Sequence, residues 1–156
     1  MTDTRIDFDT TEVDAFLREV AARLTDMTPV MDEIGETLVA STKQRFQDGV
    51  APDGTPWAPN TPATLARKRG TRPLIGDTGA LSQNIFAETA PDRVSWGSAL
   101  IYAAVHQMGA GQGVFGETST GQPIPFGPIP ARPFIGVSEE DTQAIVLALE
   151  GMLDPD

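Results

Sequence analysis

The chain has 156 residues, enough for one domain with its own hydrophobic core. Its 22 Asp and Glu against 11 Lys and Arg give a net charge of -11, which repels polyanions and argues against ordinary nucleic-acid binding. The absence of cysteine excludes disulfides, thiolate metal sites and a cysteine nucleophile. Because the sequence shows neither a signal peptide nor a membrane-spanning apolar run, we expect one soluble domain, residues 1–156, made in the cytoplasm.

The N-terminal part predicts one short strand and a first long helix. Residues 5–9 alternate polar and apolar side chains, which is typical of a half-buried strand. From Val13 to Met27, apolar residues recur every three or four positions and predict an amphipathic helix. Thr10 or Thr11 is the expected N-cap of this helix.

A second long helix is predicted to follow directly. Thr28 as N-cap and Pro29 at the first helical position favour its start, and Asp48-Gly49 favours its end. Three apolar residues would line its buried side: Ile34, Leu38 and Phe46.

The next segment predicts an ordered loop and then a short basic helix. Residues 50–60 contain three prolines and Trp57, whose indole we expect to pin the loop. Thr61-Pro62 predicts a helix that runs to Arg69 and ends at Gly70. Four basic residues cluster here: Arg67, Lys68, Arg69 and Arg72. They are candidates for phosphate contacts, but in so acidic a protein we favour contact with an acidic neighbouring protein.

Two strands and a long irregular arm are predicted beyond residue 77. Thr78 can cap a short helix that leads to Ile85, and residues 85–89 and 93–98 predict a hairpin with an Ala-Pro-Asp turn. A brief helix should end at Gly109. Residues 109–136 hold seven glycines and five prolines, which predicts an extended arm at about residues 109–130. The aromatic residues left there for contact are Phe115, Phe126 and Phe134.

The C-terminal part predicts a third long helix. Ser138 and Asp141 form a capping-box pattern at its start, and apolar residues at Ile145, Leu149 and Met152 give it one apolar face. The whole chain is therefore expected to be α+β, with two long N-terminal helices and a C-terminal helix packed on a small antiparallel sheet.

His106 is the only residue that titrates near neutral pH without a large shift. Its neighbours Tyr102 and Gln107 do not complete a nucleophile–base set, and no carboxylate lies within ten residues of it. We therefore expect a hydrogen-bonded packing histidine, with no metal and no cofactor.

Asp77-Thr78-Gly79 after Leu74-Ile75 resembles the catalytic loop of retroviral-type aspartic proteases, although a capping role for Asp77 or Thr78 is the simpler interpretation.

Four motifs taken in order resemble the phage virion morphogenesis proteins, also called tail completion proteins, of Mu-like and related phages. They are Phe46 followed by Pro52-Asp53-Gly54-Thr55-Pro56-Trp57, then Leu74-Ile75-Gly76-Asp77-Thr78-Gly79-Ala80-Leu81, then Tyr102 to Gly109, and last Ile129 to Gly136. Residues 110–128 depart from the family pattern. The resemblance makes Asp77, Thr78, Gly79, Tyr102, His106 and Gly109 structural signature residues.

The resemblance implies a non-catalytic subunit at the head–tail region of a phage or phage-derived particle. Copies would form a ring, with sixfold symmetry expected, beside neck, connector and tail-tube proteins, with no membrane contact. Packaged DNA would pass through its lumen without specific binding. The predicted interface residues are Trp57, Arg67, Lys68, Arg69, Arg72, Phe115, Phe126, Arg132 and Phe134. Two alternatives stay open: a tail terminator that caps the tail tube, and a dimeric aspartic protease that uses Asp77.

Overall fold

The computed structural model of the protein describes residues 10–153, and the strand predicted at residues 5–9 lies outside them. Within this range six helices and one two-stranded antiparallel sheet follow each other. They are α1 (Thr11–Thr25), α2 (Thr28–Asp48), α3 (Pro62–Arg67), α4 (Ala80–Gln83), β1 (Phe86–Ala90), β2 (Arg93–Gly97), α5 (Ala103–Met108) and α6 (Glu139–Leu153). The predicted α+β class and the three long helices are confirmed.

Helix α2 is the centre of the fold. The hairpin and α6 both pack on it, while α1 contacts α6. The N-terminal half of α2 buries Val30, Ile34 and Leu38 against the hairpin and α6, and Phe46 near its C-terminus enters a second cluster. Gly35 lies under the hairpin, where a β-carbon would be 3.1 Å from the Ala87 β-carbon, so a larger residue here would need the hairpin to move away by a few tenths of an ångström.

The predicted start of α2 is wrong in one detail, and its predicted end is confirmed. Thr28 is the first helical residue rather than the N-cap, because the Asp26 carboxylate accepts the Thr28 N–H at 3.0 Å and fills the capping role. At the other end Gly49 adopts a left-handed conformation (φ 73°) and donates its N–H to the Arg45 carbonyl.

The short helices are shorter than predicted. The Thr61 hydroxyl caps α3 by accepting the Thr64 N–H at 3.3 Å, but the helix ends at Arg67 rather than Arg69. Lys68 is extended instead, and its ammonium group donates to the Arg72 carbonyl, which closes residues 68–72 into a loop. Helix α4 begins only at Ala80, after the left-handed Gly79.

The predicted hairpin is confirmed, but its turn contains two residues rather than three. Ala90 still pairs with Arg93, so only Pro91 and Asp92 connect the strands. The register places Ala87 opposite Trp96 and Thr89 opposite Val94.

The Gly/Pro-rich arm contains no helix, as predicted, and pairs with itself. Ala110 and Ile129 exchange two backbone hydrogen bonds at its base, of 2.9 and 2.8 Å. Further out, the Phe115 N–H donates to the Ile124 carbonyl at 2.8 Å, and the Thr118 N–H donates to the Gln122 carbonyl at the same distance. The arm is therefore an irregular hairpin-like projection.

Gly109 sets the direction in which the arm leaves α5, and we expect its replacement by alanine to destabilise the fold. Its φ of 75° with ψ of 174° is a conformation that only glycine adopts readily. A β-carbon there would lie 2.8 Å from both the Ala131 amide nitrogen and the Ile129 carbonyl oxygen, which belong to the backbone. We expect Gly109→Ala to lower the free energy of unfolding, measured by urea titration, by about 1–3 kcal/mol. Gly111→Ala is the matched control, since its β-carbon would meet nothing within 4 Å, and equal losses in the two variants would contradict this account.

Candidate functional site

Arg45 and Asp141 form a buried ion pair that joins α2 to α6. Arg45 is 5% exposed and Asp141 is 4% exposed. Besides the carboxylate of Asp141, the guanidinium donates to the Ser41 hydroxyl at 3.1 Å and to the carbonyls of Phe134 at 3.0 Å and Gly136 at 2.7 Å. One side chain therefore ties α2 to α6 and to the segment that precedes α6, and its charge is buried with partners.

Asp141 has a second structural role at the start of α6. Its carboxylate accepts the Ser138 N–H at 2.9 Å, and the Ser138 hydroxyl accepts the Asp141 N–H at 3.1 Å, which confirms the predicted capping box. Burial raises the pKa of Asp141, but hydrogen bonds from Ser41 and Ser138 and the positive charge of Arg45 outweigh that effect and hold the pKa below its usual range. The capping pattern located Asp141 on its helix, but nothing local in the sequence pointed to Arg45.

Three aromatic side chains meet between α2 and the segment after the arm. The Phe46 and Trp57 rings lie 5.5 Å apart and nearly perpendicular, and the Phe46 and Phe134 centroids are 5.2 Å apart. The Trp57 indole nitrogen donates to the Pro133 carbonyl at 2.7 Å, so the predicted pinning of the loop is confirmed. Trp57 (6% exposed) and Phe134 (1% exposed) are therefore core residues and not, as predicted, surfaces for another subunit.

Gln107 and Arg132 hold the same segment by polar contacts. The Gln107 side-chain oxygen accepts the N–H groups of Phe134 at 2.9 Å and Ile135 at 3.0 Å, and its amide donates to the Ile135 carbonyl at 2.9 Å. Arg132 is 7% exposed and donates to the Ala58 carbonyl at 2.7 Å. Arg132 was predicted to lie at an interface, but it instead joins two segments of its own chain. Apart from the position of Gln107 in the Tyr102 to Gly109 motif, nothing local in the sequence indicates this role.

The four motifs that carried the family resemblance meet in this region. Phe46, Trp57, Leu81, Ala103 and Phe134 belong to one buried cluster, and Leu74, Ile75 and Ile135 pack against it. The motifs therefore lie together because they build a single core.

A cleft of about 640 Å³ opens beside this core. Residues from the start of α3, residues 74–81, α5 and the base of the arm line it, and two of these residues, Lys68 and Arg132, carry positive charge. Tyr102 and Phe126 contribute aromatic surface, and none of its lining residues is acidic. The cleft is thus positive and partly apolar on a protein of net charge -11.

The predicted basic cluster lies at the edge of this cleft. Arg67, Arg69 and Arg72 are exposed, and within the described chain none of the four basic residues forms an ion pair. Arg72 donates to the Gln47 side chain at 2.6 Å. Burial lowers the pKa of Lys68 and the charge of Arg132 lowers it further, whereas Asp77 opposes the shift. The cluster therefore retains unneutralised positive charge at the surface.

His106 is a packing residue of α5, as predicted, but its ring is held differently. Its ring stands nearly perpendicular to that of Tyr102, with centroids 6.0 Å apart. The ring Nδ1 is buried without a hydrogen-bond partner among the described residues, and it is the backbone carbonyl that accepts the Arg132 N–H at 2.8 Å. Across residues 10–153, no three histidine or carboxylate side chains converge in a way that could hold a metal ion.

We expect His106 to make the fold less stable as the pH falls. Burial lowers the pKa of His106, and the charge of Arg132 lowers it further. The unfolded chain therefore binds a proton more readily than the folded one, so stability should decrease from its unfolded pKa near 6.5 down to the lower folded pKa. Urea unfolding at several pH values should show this decrease in the wild type and a smaller one in His106→Gln. An identical pH dependence in both proteins would contradict the assignment.

Asp77 is exposed in a turn, where its carboxylate accepts the Arg69 N–H at 3.4 Å. Thr78, next to it, accepts the Ala80 N–H at 3.3 Å at the start of α4. The Asp77-Thr78-Gly79 stretch thus serves as a turn and helix start.

The arm presents apolar surface away from the core. Val114, Phe115 and Phe126 are 60%, 55% and 70% exposed, so two of the three aromatic residues predicted for contact are free at the surface. Their availability contrasts with the burial of Phe134.

By its fold the protein is an α+β domain in which buried charged side chains join separate segments of the chain. Residues 8–154 match the phage virion morphogenesis family, and the chain belongs to this family. It is 32% identical over 117 residues to the putative capsid assembly protein G of Escherichia phage Mu, covering 72% of this chain and 70% of that protein. It is 29% identical over 119 residues to the tail completion protein S of Escherichia phage P2, covering 72% and 75%.

No solved structure matches the chain. Among the described helices, none is long and apolar enough to cross a membrane.

Proposed function

We propose that the protein is a structural subunit that completes the tail of a tailed phage or phage-derived particle, or joins the tail to the head. The family match over residues 8–154 carries this proposal, since the two related proteins are described as a capsid assembly protein and a tail completion protein. The polar network supports it, because the buried charges of Arg45, Asp141 and Arg132 join separate segments of the fold to one another.

In this proposal copies of the chain form a closed ring, with sixfold symmetry expected, and contact neck, connector and tail-tube proteins. The exposed apolar surface of the arm at Val114 and Phe115 and the positive cleft, which Phe126 lines, supply two different surfaces for such contacts. The net charge of -11 favours a lumen through which DNA passes without adhering. A tail terminator at the end of the tail tube is the second candidate of the same class.

The test is complementation of a particle-forming strain from which the gene has been deleted. The wild-type gene should restore complete particles, and electron microscopy of those particles, with the protein labelled, should locate it at the neck or tail. Normal particle yield without the gene would contradict the proposal. A label at the distal end of the tail tube would favour the terminator.

The arm can be tested in the same strain. Replacing residues 111–128 with Gly-Gly keeps the antiparallel Ala110–Ile129 pair on a two-residue turn. We expect a folded protein that fails to complete particles, and unchanged particle yield would show that the arm is dispensable.

The Asp77→Asn variant distinguishes a structural protein from an aspartic protease. Particle yield should be unchanged if the protein is structural and lost if Asp77 is a catalytic carboxylate.

A further inference from the structure

Arg132 is a buried charge without a counter-charge. Within residues 10–153 the buried charged side chains are Arg45, Asp141 and Arg132, and the first two neutralise each other. The Arg132 guanidinium donates through Nε and Nη2 to the carbonyls of Ala58 and Pro59 at 2.7 and 3.0 Å, whereas its Nη1 group has no partner in the described chain. Burial lowers the pKa of Arg132, and no carboxylate in this part of the chain opposes the effect. Because a buried charge normally has a partner of opposite sign, this guanidinium lacks an anion.

The cleft that Arg132 lines has room for such an anion. Its volume of about 640 Å³ is typical of pockets that enclose a ligand. Lys68 also lines the cleft and carries a second positive charge, and Tyr102 and Phe126 add aromatic surface. The group that fits this cleft therefore combines a negative charge with apolar side chains.

The outer arm, residues 111–125, has this composition. Glu117 is the only carboxylate in residues 93–138, is exposed, and has no hydrogen bond or ion pair from its side chain among residues 10–153. Val114 and Phe115, close before it in the chain, are 60% and 55% exposed. The Phe115 N–H donates to the Ile124 carbonyl at 2.8 Å, which keeps these side chains together on one projection. The outer arm thus carries both the negative charge and the apolar surface that would complete the cleft.

A subunit's own outer arm does not fill its cleft. The arm contributes only residues 126–130, at its base, to the lining, and none of residues 111–125 takes part. Ala110 pairs with Ile129 at that base, and Glu117 lies up to about 23 Å of extended chain beyond Ala110. The outer arm and the cleft are therefore separate surfaces of one chain, with opposite charges.

We propose that the outer arm of one subunit enters the cleft of the next subunit, where the Glu117 carboxylate pairs with Arg132 and Lys68. The apolar side chains beside Glu117 then cover the aromatic lining of the cleft. This inference rests on the proposed ring and names the surfaces that build it. Since each subunit supplies one arm and accepts another, the contact is head-to-tail, and it forms a ring when its rotation closes.

An exchange of charges tests this contact by size-exclusion chromatography with light scattering over a range of concentrations. We expect the wild type to associate and Glu117→Lys to weaken association at least about tenfold, because it brings like charges together in the cleft. Adding Lys68→Glu to the same chain should restore part of the association, since positions 117 and 68 then again have opposite signs. The restoration is partial because Arg132 stays in the cleft.

The matched control for the exchange is Glu117→Lys combined with Arg67→Glu. Arg67 precedes Lys68, is exposed and does not line the cleft, so this variant has the same net charge but an unchanged cleft. It should associate as weakly as Glu117→Lys alone. Glu88→Lys changes an exposed glutamate of β1 and should associate like the wild type.

Circular dichroism and urea unfolding check that each variant folds. If Lys68→Glu does not fold, Tyr102→Asp takes its place in the exchange, because Tyr102 is 41% exposed and also lines the cleft.

Three results would overturn the contact. They are a monomeric wild type at all concentrations, a Glu117→Lys variant that associates like the wild type, and an exchange variant that associates no better than the Arg67 control. The last result shows that Glu117 is not seated in the cleft. A wild type that restores particles in the complementation test but stays monomeric leaves the proposed function standing and removes only this contact.

Discussion

Replacing Asp141 with asparagine is expected to lower the free energy of unfolding by about 3–5 kcal/mol, the usual cost of removing one partner from a buried ion pair. The change leaves the Arg45 guanidinium buried with neutral acceptors only, since Ser41, Phe134 and Gly136 supply uncharged oxygens. Urea titration monitored by tryptophan fluorescence measures the loss.

Glu140→Gln is the matched control for this substitution. Glu140 lies in the same first turn of α6 and is exposed, so removal of its charge changes only the interaction with the helix dipole, worth about 0.3–1 kcal/mol. Similar losses in the two variants would show that the ion pair contributes little.

The same pair predicts acid sensitivity. The pKa of Asp141 is lower in the folded protein than in the unfolded chain, so its contribution is fully present above the unfolded value near 4 and is lost as the pH falls through the folded pKa. Asp141→Asn should therefore lack part of the loss of stability that the wild type shows below about pH 4.

Phe134→Ala is expected to cost about 3–5 kcal/mol, because it removes a fully buried ring and leaves a cavity beside Phe46. Phe126→Ala provides the comparison, since this phenylalanine from the same Gly/Pro-rich stretch is 70% exposed and should change stability by less than about 0.5 kcal/mol. Urea unfolding of both variants tests the assignment, and a stable Phe134→Ala would contradict it. Particle yield should fall with Phe126→Ala if the arm is a contact surface.

Local patterns in the sequence were sufficient for much of the fold. Three features could be predicted because each involves residues within one or two helical turns of each other in the sequence. They are the periodicity of α1 and α2, the left-handed Gly49, and the capping box of Ser138 and Asp141. The hairpin was found for the same reason, and its turn length was missed because Ala90 pairs despite the proline that follows it.

The long-range ties could not be predicted in the same way. Arg45 and Asp141 are 96 residues apart, and no spacing rule connects them. Trp57 and Phe134 were assigned to an interface because their Gly/Pro-rich surroundings are typical of exposed loops. Those segments are instead fixed by side chains from elsewhere, among them Gln107, and this burial appears only when the chain is folded.

The distance in sequence between Arg45 and Asp141 also has a consequence for synthesis. Helix α2 is complete at residue 48, but its acidic partner and the apolar side chains of α6 are added only after residue 138. At a usual elongation rate, Arg45 waits on the order of 5–20 s before its counter-charge is translated. A product that stops before residue 139 lacks both Asp141 and α6. Its Arg45 therefore has no counter-charge, the apolar face of α2 stays exposed, and the core cannot form. The pair thus makes synthesis at least through Asp141 a condition for completing the core.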